Sequence, residues 1–80
     1  MLRSEHKLRV EEVTVPAGFV PRAFGQLQLH DPDYVILALR RGGEWLFNPA
    51  DDCLLEPGNI LILMASPHGL QALVKQLADS

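Results

Sequence analysis

The chain has 80 residues, 48% of them hydrophobic, a formal charge of −3 at pH 7 and one cysteine, which together describe a single small globular domain. This composition excludes a disordered chain and an internally disulfide-stapled one. Few and scattered Lys and Arg also exclude a nucleic-acid module, whose affinity rests on a concentrated positive face. No apolar stretch approaches the roughly 20 residues that span a bilayer, and residues 1–7, MLRSEHK, lack the apolar region of a signal peptide.

Residues 1–7 read as a charged lead-in, the remnant of a linker, and residues 8–80 as the domain. Leu8 to Val15 alternates β-branched and charged residues and predicts a strand stopped by Pro16-Ala17-Gly18. Leu8 and Val10 fall on one parity and Val13 and Val15 on the other, so a bulge is expected near Glu11-Glu12. Pro21 to Leu29 predicts a short helix with Pro21 at its first position and Phe24 and Leu27 facing the sheet. Gly25 limits it to a turn or two. His30-Asp31-Pro32-Asp33 is a loop.

Tyr34 to Arg41 is apolar on both parities until its arginines, which predicts a central strand covered on both faces. Arg41-Gly42-Gly43-Glu44 predicts a type I′ hairpin leading into a strand over Glu44 to Phe47. Cys53-Leu54-Leu55 predicts a short further strand. Glu56-Pro57-Gly58-Asn59 predicts a type II turn, since Pro presets φ and Gly accepts φ > 0. Ile60 to Met64 is a second central strand. Ser66 as N-cap and Pro67 as first residue open a closing helix, with Leu70, Leu73, Val74 and Leu77 as its apolar stripe. The fold expected is α+β: a small mixed or antiparallel sheet of four to five strands, a short helix after the first strand, and a C-terminal amphipathic helix packed on the sheet.

Little in the chain points to catalysis. Nothing places a histidine beside Cys53, so it reads as a small, partly buried residue. His6, His30 and His68 have no metal-ligand spacing, and the acidic pairs Glu11-Glu12, Asp31/Asp33 and Asp51-Asp52 match no calcium loop. Gly42 and Gly43 are accounted for by the hairpin rather than by a phosphate loop. Trp45 and Phe47 share a parity and read as core or dimer-interface residues rather than a base-stacking platform. Arg22, His30, Arg40 and Arg41 are the groups able to meet an anion. Arg22 ranks first, because a helix opening there would add its N-terminal N–H groups, with His30 second and Arg40 third. No metal ligand and no catalytic residue is nominated.

A chain this short buries only about 60% of its unfolded surface, so its core is marginal alone. With no crosslink, a homodimer is the expected supplement.

The order of the pieces Val13-Thr14-Val15-Pro16, Phe24-Gly25-Gln26-Leu27, Val35 through Gly42, Asn48-Pro49, Asp52-Cys53-Leu54-Leu55, Pro57-Gly58, Ile60 through Met64 and a final helix resembles the C-terminal lobe of regulator-of-potassium-conductance domains, the RCK-C or TrkA-C family. The resemblance covers residues 9–78. Three positions depart from it: Gly58-Asn59 stands for a usual Gly-Asp, Ala65 for a common glycine, and His30 to Tyr34 for a basic stretch ending in an aromatic-glycine pair. In nucleotide-sensing relatives that last region helps form the ligand pocket. The resemblance implies a non-enzymatic regulatory lobe on the cytoplasmic side of the cell membrane, soluble itself but part of a larger protein with a membrane-embedded pore or transporter. It also implies two-fold dimers, with a nucleotide or divalent cation as possible effector. The other reading of the same residues is a structural association module with no ligand of its own.

Overall fold

The computed structural model describes residues 8–79, so the lead-in over residues 1–7 lies outside the described residues. Six strands and one α-helix follow in the order β1 (Arg9–Thr14), β2 (Arg22–Ala23), β3 (Tyr34–Arg41), β4 (Glu44–Phe47), β5 (Leu54–Leu55), β6 (Ile60–Ala65) and α1 (Pro67–Ala78). The main sheet is four-stranded, ordered β1-β6-β3-β4, with every neighbouring pair antiparallel. A second, two-stranded sheet pairs β2 with β5. The α+β architecture is as the sequence predicts, and the two strands apolar on both parities, β3 and β6, are the central ones.

Register assigns every side chain to a face. Val13, Leu39, Leu61, Leu63 and Ala65 point to the inner side, where α1 supplies Leu73 and Leu77; Val13 is partly buried and the others are buried. Val15, Phe19, Leu29, Tyr34 and Leu55 complete this core. Ser66 caps α1 as its sequence suggests, its Oγ accepting from the Gly69 N–H at 3.1 Å, with Pro67 following as first residue. Val74 departs from the expected stripe: it is 48% exposed, and Gly69 is buried in its stead. A Cβ on Gly69 would lie 2.0 Å from the Asp33 carbonyl oxygen, so only glycine lets the helix start approach the loop before β3.

Four local expectations are corrected. β1 pairs with β6 in unbroken register, so there is no bulge at Glu11-Glu12; Val10 simply faces outward. The irregularity falls instead in β3, between Ile36 and Ala38. The predicted helix from Pro21 is a two-residue strand, Arg22–Ala23, followed by a 3₁₀ turn, Phe24–Leu27. The cause is tertiary: Arg22 and Ala23 pair with Leu55 and Leu54, and the Phe24 and Gly25 N–H groups donate to the Cys53 and Asp51 carbonyls at 2.7 and 2.8 Å. For the same reason Leu54–Leu55 joins β2 rather than the main sheet. In the hairpin only Gly42 has positive φ (59°), the sign pattern of a type II′ turn rather than I′.

The type II turn before β6 forms as predicted, with Gly58 at φ 87° and the Asn59 N–H donating to the Glu56 carbonyl. Asn59 is buried, and its Oδ1 accepts from the Glu56 N–H at 2.9 Å. An asparagine at this position therefore keeps the side-chain bond that closes the turn.

Candidate functional site

Between the 3₁₀ turn, the loop leading into β3 and the exit of β4 lies a cleft of about 530 Å³. That is within the size range of small-molecule sites. Phe24, Leu29 and Pro49 contribute apolar wall, while His30, Asp31 and Asp51 contribute polar rim. Tyr34 and Val35 close it from the start of β3.

Local backbone chemistry sets this shape. Gln28 ends the 3₁₀ turn in a left-handed conformation (φ 50°, ψ 51°), and its carbonyl accepts from the His30 N–H at 2.8 Å. The chain thus doubles back and carries His30 to the cleft. Asp31 Oδ1 accepts from the Asp33 N–H at 2.9 Å, an Asx turn that brings the chain into β3. Asn48, also left-handed at φ 49°, donates its N–H to the Leu37 carbonyl at the β3 irregularity and turns Pro49 toward the cleft. Gly25 lies so close to Asp51 that a Cβ would approach the Asp51 Cβ to 2.7 Å.

Tyr34 is a titratable group perturbed by its surroundings. Burial, and secondarily the Asp31 carboxylate, push its pKa up to about 12. Its hydroxyl donates to Gln76 Oε1 at 2.6 Å, tying the cleft wall to α1.

Of the three residues the sequence nominates, the cleft receives only His30. Arg22 lies on β2 with its guanidinium 5.9 Å from the Phe19 ring centre, and no helix opens at it. The N-terminal N–H groups invoked for anion binding are therefore absent at Arg22. Arg40 is on the outer side of β3, 3.4 Å from Glu12 and 5.3 Å over the Trp45 ring. Arg41 reaches the Leu54 carbonyl at 2.5 Å and the Cys53 thiol at 3.9 Å, which braces the small sheet against the hairpin. The cleft itself carries the Asp31 and Asp51 carboxylates and neither Arg nor Lys. Among the described residues no three His, Cys, Asp or Glu side chains gather as a metal site.

Sequence reasoning missed Pro49 and Asp51 as cleft residues. The signal available was Asn48-Pro49 itself, an αL-tolerant residue followed by a strand stop.

The sequence matches the TrkA-C domain family over residues 10–78. The chain belongs to the TrkA-C family. Its fold is shared with a solved structure of the RCK C domain of the potassium transport protein KtrA in complex with cyclic diadenosine monophosphate (c-di-AMP). The two are 23% identical with a TM-score of 0.73, over 86% of this chain and 82% of that one. No curated protein sequence matches the chain. No helix among the described residues is long and apolar enough to cross a membrane.

Proposed function

We propose that this TrkA-C domain is a cytosolic regulatory lobe of a potassium channel or potassium transport protein, binding a small effector in the cleft and working as a two-fold dimer. Family membership supports potassium transport, and the related KtrA domain was solved with a bound nucleotide. The observation that carries the effector reading is the cleft itself, an open site with an aromatic and proline wall and a polar rim. Nothing on that rim pairs a nucleophile with a base, so the site is read as binding rather than catalytic. An effector that prefers one dimer geometry biases the attached transport unit by its difference in affinity for the two states.

The proposed contact is His30, with the ring faces of Phe24 and Tyr34 and the edge of Pro49. Arg22 and Arg40 enter only if a second copy brings them to the cleft mouth. A thermal-shift titration with c-di-AMP, ATP, Mg²⁺ and Ca²⁺ tests the reading. A ligand at 100 times its dissociation constant stabilises by about 2.7 kcal/mol, and substitution of His30 or Pro49 should reduce that shift.

One observation favours the second reading, an association module with no ligand of its own. Two carboxylates and no Arg or Lys line the cleft, so a phosphodiester entering it meets like charge. No thermal shift with any of the four probes would place that reading ahead.

A further inference from the structure

The cleft holds two carboxylates that no basic side chain of the fold neutralises. Asp31 reaches it from the loop before β3, and Asp51 from the turn between β4 and β5. Asp31 engages one oxygen, Oδ1, with the Asp33 N–H. Among the described residues neither carboxylate belongs to an ion pair. The nearest candidates are occupied elsewhere: Arg40 by Glu12, Arg41 by the Leu54 carbonyl and Arg22 by the Phe19 ring. The cavity also continues past His30. A second hollow of about 440 Å³ shares Phe24, Leu29, His30 and Asp51 with the cleft and adds Gly25 and Gln28. The two hollows form one trough beside the 3₁₀ turn, and Asp51 belongs to both.

We propose that this trough takes an elongated organic cation, an alkylammonium compound of the diamine or polyamine class. The inference rests on the effector reading above and names the chemical class of that effector. Charge and lining select it. A phosphate-bearing ligand brings negative charge to two carboxylates, with no Arg or Lys in the lining to offset it. A bare divalent ion needs a gathered set of oxygen ligands, and no three such side chains gather among the described residues. An alkylammonium chain asks for carboxylates at its charged groups and an apolar wall along its methylenes. Asp31 and Asp51 meet the first need, Leu29 and Pro49 the second. Phe24 and Tyr34 add aromatic rings, whose π-systems attract an ammonium group. The net charge of −3 draws such a ligand toward the chain.

Isothermal titration calorimetry with spermidine as the probe tests this. Asp31→Asn keeps the Asx turn, since its amide oxygen accepts the same bond. Asp51→Asn keeps the backbone carbonyl that holds the Gly25 N–H. Each should weaken spermidine binding roughly tenfold, through loss of one charge-assisted contact. Glu44→Gln removes the same charge from the start of β4, outside the trough, and should leave binding unchanged. Spermidine should also shift the ring resonances of His30 and Tyr34 in NMR spectra of the parent. Circular dichroism of each variant confirms that the fold is retained. Equal affinity in all three variants places the cation elsewhere on the surface and overturns the proposal. An equal response to Mg²⁺ at matched ionic strength reduces the effect to bulk charge and overturns it too. No binding of spermidine while c-di-AMP shifts the melt overturns the ligand class and keeps the effector reading. Silence from spermidine and from all four earlier probes overturns both.

Discussion

The same four strands build two unlike faces. On the inner side Leu39, Leu61, Leu63 and Leu73 are fully buried, because α1 is delivered onto the sheet directly after β6. On the outer side Val10, Val35, Trp45 and Phe47 stay in contact with solvent, while Ala38 and Ile62 between them are buried. The two faces have similar composition, so what separates them is covering and not sequence chemistry. An apolar residue on one of these strands is therefore evidence of burial somewhere, either within the chain or against a partner.

The largest expected effect breaks the comparison from the inner side. Leu63→Ala should destabilise the fold by about 2–5 kcal/mol, since it opens a cavity between β6 and α1. Val35→Ala on the outer face should cost under about 1 kcal/mol in a dilute monomer, where little burial is lost. Urea denaturation of both, at a concentration where the parent is monomeric, checks the contrast. Equal losses would mean that the outer face is already covered within one chain.

Gly69→Ala probes how closely the inner covering fits. Its Cβ would drive into the backbone oxygen of Asp33, so helix and loop must separate, at a cost of about 1–3 kcal/mol. A thermal melt unchanged by this substitution would mean that α1 sits further from the loop. Ser66→Ala removes the cap of the same helix and should cost about 1 kcal/mol, read by the same melts.

The smallest effect is confined to high pH. The Tyr34 hydroxyl ionises at about 12 in the folded chain against an ordinary value of 10.0. The unfolded chain therefore loses that proton first, and the stability tied to neutral Tyr34 is present below pH 10 and falls as pH rises from 10 toward 12. Tyr34→Phe should flatten that part of the stability profile. An identical alkaline slope in the variant would assign the loss to other groups.

Most of the architecture was legible because it rests on local signals. The Ser66-Pro67 cap, the Pro57-Gly58 turn and the two strands apolar on both parities each carry their own chemistry, and each forms as read. What the residues hid depends on distant partners. Arg22 and Ala23 look helical behind Pro21 and become a strand because Leu54 and Leu55 pair with them. The parity of Val10 differs from that of Val13 without any bulge, because Val10 faces the outer side and is exposed there. The cleft was half visible: His30 lines it, but Asp51 is brought in by the Gly25 N–H bond to its carbonyl, which no spacing announces. Arg22, Arg40 and His30 were grouped for their chemistry, and strand pairing sets them apart.

Trp45 is the chain's single tryptophan, and it stands on the outer face at 45% exposed. Its fluorescence therefore reports what covers that face without any label. At concentrations where the protein is monomeric, the account predicts red emission that acrylamide readily quenches. Blue emission that resists acrylamide there would contradict the account, because the outer face would then be covered within one chain.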